Sequence, residues 1–111
     1  MKTSEIRLTV TVDDKHIPED INWEATESGM PGKRPCKSTL LSIWDPAEQT
    51  TMRIDLWTKD MPVDDMKRFF FENFASMADT YMRATDDADG AKLIRSFSDE
   101  FGKAVGLTGK R

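Results

Sequence analysis

Cysteine and histidine are almost missing from this chain, with one of each in 111 residues, Cys36 and His16. A single thiol cannot close an internal disulfide. One histidine without a second His or Cys cannot build a typical zinc site. Long apolar runs are missing too. No stretch approaches the roughly 20 residues that cross a bilayer, and Glu5 and Arg7 interrupt the apolar core that a secretory leader needs. Nor is positive charge in excess. Sixteen Lys and Arg stand against 20 Asp and Glu, giving a net charge of −4 and an isoelectric point near 5.0. A nucleic-acid partner is therefore not expected, because phosphate binding needs a net basic face. The location these absences leave as the expectation is the cytoplasm.

What is present describes an ordinary globular protein. Hydrophobic residues make up 38% and charged residues 32%, so the chain has enough apolar side chains to build a core without staples. One domain over residues 1–111 is expected, with an ordered core at 4–107 and a flexible tail at 108–111. Ile6, Leu8, Val10 and Val12 alternate with Arg7, Thr9 and Thr11, the pattern of a half-buried strand. Asp13, Asp14 and Lys15 read as a turn, and Ile21 and Trp23 around Asn22 as a short strand. Residues 27–34 hold two glycines and a proline and read as a mobile loop. Two β runs, CKSTLLSIW and TTMRIDLWT, flank a short Asp-Pro turn and read as a hairpin. Opposing Trp44 to Thr51 sets Ile43 against Met52, Leu41 against Ile54 and Thr39 against Leu56, so that one face is apolar throughout.

Pro62 with nearby Asp60, Asp64 and Asp65 marks the start of a helix, expected from about Val63 to Ala84. Arg68, Glu72, Ser76, Asp79 and Arg83 line one side of it. Met66, Phe69, Phe70, Phe74, Met77 and Tyr81 line the other, widened by Phe71, Ala78 and Met82. That arc is broader than one sheet contact requires. A second helix is expected from about Ala88 to Val105, closed by Gly106. The resulting order, β-β-β-β-α-α, is an α+β fold in which two helices pack on an antiparallel sheet of about four strands.

Motifs for catalysis or cofactor binding fail on spacing. If Gly90 of TDDADG were the sixth residue of a calcium loop, Thr85 and Ser96 would fill its first and last ligand positions. The segment reads instead as an acidic connection that caps the second helix. GMPGKR and GLTGKR lack the spacing of a phosphate-binding loop. Lys33, Arg34 and Lys37 read as a solvated basic cluster. Cys36 has no base beside it and suits a small strand-end hydrophobe. No enzyme activity, cofactor or metal is expected.

The aromatic positions remain. Arg53, Asp55 and Trp57 alternate with the apolar set of their strand, and the hairpin register places Leu40 and Trp44 on the same face. Either that face is covered within the fold, or Leu40, Trp44, Arg53 and Trp57 form an exposed contact surface. Exposed aromatics beside an arginine are a mark of protein–protein contact.

The stretch LLSIWDP, then TTMRIDLWTKDMPVDDMKRFF, then SMADTYMRAT resembles the gliding motility protein GldC of Bacteroidetes bacteria, as does the opening SEIRLTV with IPEDINWEAT. The likeness runs from Ser4 to about Leu107 and is most specific at Arg53–Met66. It implies an accessory of surface gliding, a process linked to type IX secretion in these bacteria. It brings no catalytic residue and no cofactor. The expected partners are a further copy of the chain, proteins of the gliding apparatus, or both. The element order alone also matches the export chaperone SecB, so a chaperone or peptide-binding module is the alternative reading.

Overall fold

A computed structural model of the chain describes residues 1–27, 29 and 32–107. Ser28, Met30 and Pro31 of the expected loop, and the expected tail at 108–111, lie outside them. Five antiparallel strands are followed by two helices, an α+β order. The strands belong to a compact unit spanning residues 1–61 and the helices to a second spanning 62–111.

In the first unit, β1 (Ile6–Val12) pairs with β2 (Pro18–Ala25), and β2 pairs with β3 (Arg34–Cys36). The β1 register opposes Leu8 to Trp23 and Val10 to Ile21. One sheet face therefore collects Leu8, Val10, Ile21 and Trp23, and Ile21 is fully buried. The other face carries Arg7, Thr9, Asn22 and Glu24. Pro18 opens β2, a strand position where the missing N–H costs no ladder bond. Asp13 builds the β1–β2 turn. Its Oδ1 accepts from the N–H groups of Lys15 (2.8 Å) and Ile17 (3.0 Å), and His16 takes the left-handed conformation at φ 62°.

β4 (Ser38–Asp45) and β5 (Thr50–Trp57) form the hairpin. Its register matches the sequence expectation pair for pair, from Trp44 opposite Thr51 to Thr39 opposite Leu56. Asp45 Oδ1 accepts from the N–H of Ala47 at 3.0 Å, which fixes the turn as an Asx turn. The strand count differs from the expected four because the CKSTLLSIW run is interrupted at Lys37. β3 before the break pairs with β2, and β4 after it pairs with β5.

In the second unit, α1 (Val63–Thr85) begins after Pro62, which occupies the cap position. Asp64 and Asp65 fill its first turn, where the helix dipole favours negative charge. α2 (Ala88–Ala104) follows after two residues. Asp87 caps it. Its Oδ1 accepts from the Gly90 N–H at 3.1 Å and its Oδ2 from the Tyr81 hydroxyl at 2.7 Å. The acidic connection is thus a helix cap, as its spacing implied. α2 ends in a Schellman arrangement. Leu107 N–H donates to Gly102 (2.7 Å) and Gly106 N–H to Lys103 (3.1 Å), with Gly106 at φ 84°.

The two helices lie against each other through Phe74, which makes edge-on ring contacts with Phe97 and Phe101, both at 5.1 Å between centroids. Ala78, Ala91, Ser98 and Gly102 are buried. Small residues at these positions let helices approach closely. Arg95 adds an ion pair to Asp79 at 2.9 Å.

Candidate functional site

The face named from sequence lies on the β4–β5 hairpin. Cross-strand partners share a face, so the register stacks four rows there, Trp44 with Thr51, Ser42 with Arg53, Leu40 with Asp55, and Ser38 with Trp57. All four sequence-predicted residues are on this face. They do not form one aromatic cluster. Trp44 and Trp57 occupy its two ends, six residues apart along β4, on the order of 20 Å at strand spacing.

Between them lies a polar centre. The Arg53 guanidinium donates through Nε and Nη2 to the two carboxylate oxygens of Asp55, at 3.1 and 2.8 Å, and through Nη1 to Ser42 Oγ. This two-pronged geometry holds a flexible arginine in place. The hydrogen bonds to the Asp55 carboxylate raise the Arg53 pKa further, so the charge is fixed. Leu40 is half-buried beside the pair, whereas Trp44 is 58% and Trp57 54% exposed. The face thus presents two aromatic ends around an ordered ion pair.

Trp57 also borders a shallow depression of about 210 Å³ lined by Ile17, Pro18, Asp55, Leu56 and Lys59. Beyond it the chain is tied down by contacts that sequence patterning did not announce, centred on Thr58 and Lys59. Lys59 Nζ reaches Asp13 Oδ2 at 2.8 Å and Glu19 Oε2 at 3.4 Å. Its N–H donates to the Pro18 carbonyl at 3.1 Å. The hydrogen bond from Lys59, with the turn amides, lowers the Asp13 pKa from 3.8 to about 2. Thr58 is buried, donates through Oγ1 to Asp60 Oδ1 at 2.6 Å, and donates its N–H to Lys37 at 2.8 Å. Lys37 Nζ returns to Asp60 Oδ2 at 2.8 Å. These contacts fasten the end of β5 to β2 and to the start of β4. Lys37 of the expected basic cluster is thereby paired internally.

The opposite hairpin face carries Leu41, Ile43, Met52 and Ile54, all exposed by a third or more. In the helical unit Phe70, Met77, Leu93 and Phe97 are exposed as well. His16 and Cys36 are far apart in role: the first sits in the β1–β2 turn, and the second ends β3 with its Sγ 3.6 Å from Thr39 Oγ1. Among the described residues no group of three or more His, Cys, Asp or Glu side chains is placed to hold a metal ion, and no helix is long and apolar enough to cross a membrane.

The family model described as gliding motility-associated protein GldC-like matches residues 18–107. Comparison with curated proteins and with solved structures gives no match.

Proposed function

The chain belongs to the gliding motility-associated GldC-like family, and from that premise we propose that it is a non-catalytic accessory of bacterial gliding that works in the cytoplasm by docking a protein of the gliding apparatus. The docking face is the β4–β5 surface carrying Leu40, Trp44, Arg53 and Trp57. The observation that carries this reading is the exposure of two tryptophans on one face of a well-ordered hairpin, with an arginine immobilised between them. Tryptophan and arginine contribute most per residue at protein contacts. An arginine already held in its bound geometry loses little freedom on docking.

The test replaces Trp44 and Trp57 by alanine in cells that glide. Loss of surface movement and of co-purifying partner, with circular dichroism unchanged, is the expected result. Normal gliding by the folded double variant refutes the site.

One observation favours a second reading. Leu41, Ile43, Met52 and Ile54 present apolar surface on the reverse of the same hairpin, the kind of surface a binder of unfolded or exported chains uses. Such a binder suppresses aggregation of unrelated denatured proteins at stoichiometric amounts, and a dedicated docking domain does not. A light-scattering aggregation assay separates them.

A further inference from the structure

Among the described residues, β1 is hydrogen-bonded along one side only, to β2. The Glu5 carbonyl accepts from Thr26 N–H at 3.0 Å, and Asp13 N–H donates to the Ile17 carbonyl at 2.9 Å. Odd-numbered residues therefore spend their backbone groups on β2. By the alternation of an antiparallel ladder, the N–H and C=O groups of Ile6, Leu8, Val10 and Val12 point outward. IRLTVTV holds no proline and no lysine, and Arg7 is its one charged residue. The one register irregularity, at Thr11 and Val12, puts its extra residue, Glu19, on β2. Ile6 is 83% exposed.

We propose that two copies of the chain pair antiparallel along these free edges, about a two-fold axis at Val10. Charge selects both the occupant and the register. An axis at Thr9 opposes Glu5 to Asp13 of the other copy, two like charges. An axis at Leu8 brings the two Arg7 side chains together diagonally. An axis at Val10 opposes Arg7 to Asp13 of the other copy twice, by symmetry, and Thr9 to Thr11. Asp13 is held ionised by Lys59, and its side chain is 18% exposed. Its carboxylate already accepts from Lys59 and from the Lys15 and Ile17 amides, so Arg7 of the other copy joins this cluster as a further donor. Arg7 is free to turn to it, since its contact with Glu5 is a solvent-exposed 3.2 Å pair. The edge is thus its own electrostatic complement, which a general peptide-binding edge is not. Rows Leu8–Val12, Val10–Val10 and Val12–Leu8 supply about six backbone hydrogen bonds. The apolar face of Leu8, Val10, Ile21 and Trp23 runs on into the second copy. A two-fold contact also closes on itself and leaves no β1 edge for further addition. This pairing is independent of the tryptophan face. It uses a strand that precedes the family-matched residues.

Light scattering after size exclusion tests it on the full chain, with an expected species of twice the 12.7 kDa of one chain. Arg7→Glu, which sets an acidic residue against Asp13 of the other copy in both symmetry-related rows, weakens the dimer roughly tenfold while the far-ultraviolet spectrum stays the same. The register is read by cross-linking. Thr9 opposes Thr11 in a non-hydrogen-bonded row, where α-carbons are close enough for a disulfide. Thr9→Cys alone and Thr11→Cys alone stay uncross-linked at these positions, and an equimolar mixture joins the two introduced thiols, identified by mass spectrometry. A monomer at every concentration overturns the proposal. So does a cross-link formed by Thr9→Cys alone, or a dimer indifferent to Arg7→Glu.

Discussion

Replacing Trp44 and Trp57 by alanine, singly and together, tests the proposed docking face quantitatively. A tryptophan side chain offers roughly 250 Å². With 58% and 54% of each residue exposed, a little under half of each indole is already covered by the fold. At about 25 cal/mol per Å² that covered part contributes at most about 3 kcal/mol to stability. The remaining part, about 130–150 Å² each, is what a partner is able to bury. It is worth about 3.5 kcal/mol, or roughly 300-fold in affinity, per tryptophan. The two indoles stand on the order of 20 Å apart, beyond the range at which substitutions usually couple. Their effects on partner binding should therefore multiply. A partner that feels both must cover the whole hairpin face, which fits the roughly 800 Å² that one side of a standard interface buries. Urea titration gives the cost to the fold, and quantitative capture of the partner from gliding cells gives the cost to binding. Iodide quenching of single-tryptophan variants checks the exposure directly. If both alanine variants stay folded, bind as before and support normal gliding, the surface is not the docking site. If one tryptophan carries the whole effect, the footprint covers one end of the hairpin only.

The remaining predictions concern the fold that supports this face. Asp13 has its folded pKa lowered to about 2 by Lys59, so its contribution to stability is complete above the unfolded value of about 4 and lost as pH falls towards 2. Asp13→Asn keeps an oxygen for the turn amides but removes the charge. The gap in melting temperature between it and the parent chain should be widest near pH 7 and close by pH 2. Gly90→Ala should cost about 1–3 kcal/mol in urea denaturation, because a Cβ there meets Asp87 Oδ2 at 2.5 Å and the Tyr81 ring at 2.7 Å. An unchanged midpoint counts against that packing. Ser98 is buried with no hydrogen-bond partner for its Oγ among the described residues, so Ser98→Ala should be neutral or stabilising by up to about 1 kcal/mol. Ser98→Leu should destabilise by about 1–3 kcal/mol through overpacking, and a tolerated leucine would mean the helices are not closely apposed there.

Local patterns carried most of the element boundaries. The hairpin register was legible because side-chain alternation has a period of two, and a one-residue slip would have scattered Leu41, Ile43, Met52 and Ile54 over both faces. The Gly106 cap and the acidic cap at Asp87 were legible because capping chemistry is local. The break at Lys37 was not, since CKSTLLSIW alternates through it. What divides that run is its pairing, with β2 on one stretch and β5 on the next. The extent of β2 was also hidden, because charged Glu19, Asp20 and Glu24 obscure the alternation of a strand whose other face is solvated. On the candidate face, the positions of the four named residues followed from register. The Arg53–Asp55 pair was implicit in their spacing of two, but the separation of the tryptophans emerges only when the rows are counted.

The stretch RIDLWTKDMPVDDM, which carries the most specific part of the family likeness, divides by what each residue does. Thr58, Lys59 and Asp60 are consumed internally. They fasten β5 to Pro18, Asp13 and Lys37 through partners up to 46 positions away, and no local pattern announces such contacts. Pro62, Asp64 and Asp65 start a helix. Arg53 and Asp55 satisfy each other. Trp57 is the exposed aromatic that none of these roles accounts for. Its backbone closes the hairpin opposite Ser38, a task any strand-forming residue performs, while more than half of its surface meets solvent. A fold that needed only a strand end there would be served by threonine or valine, which have high strand propensity and much less apolar surface. The indole therefore answers to something outside its own strand. Trp57→Thr separates the two demands: the melting temperature should fall by no more than the covered half of the indole implies, while gliding and partner capture should be lost. Retention of both would assign Trp57 to the fold alone.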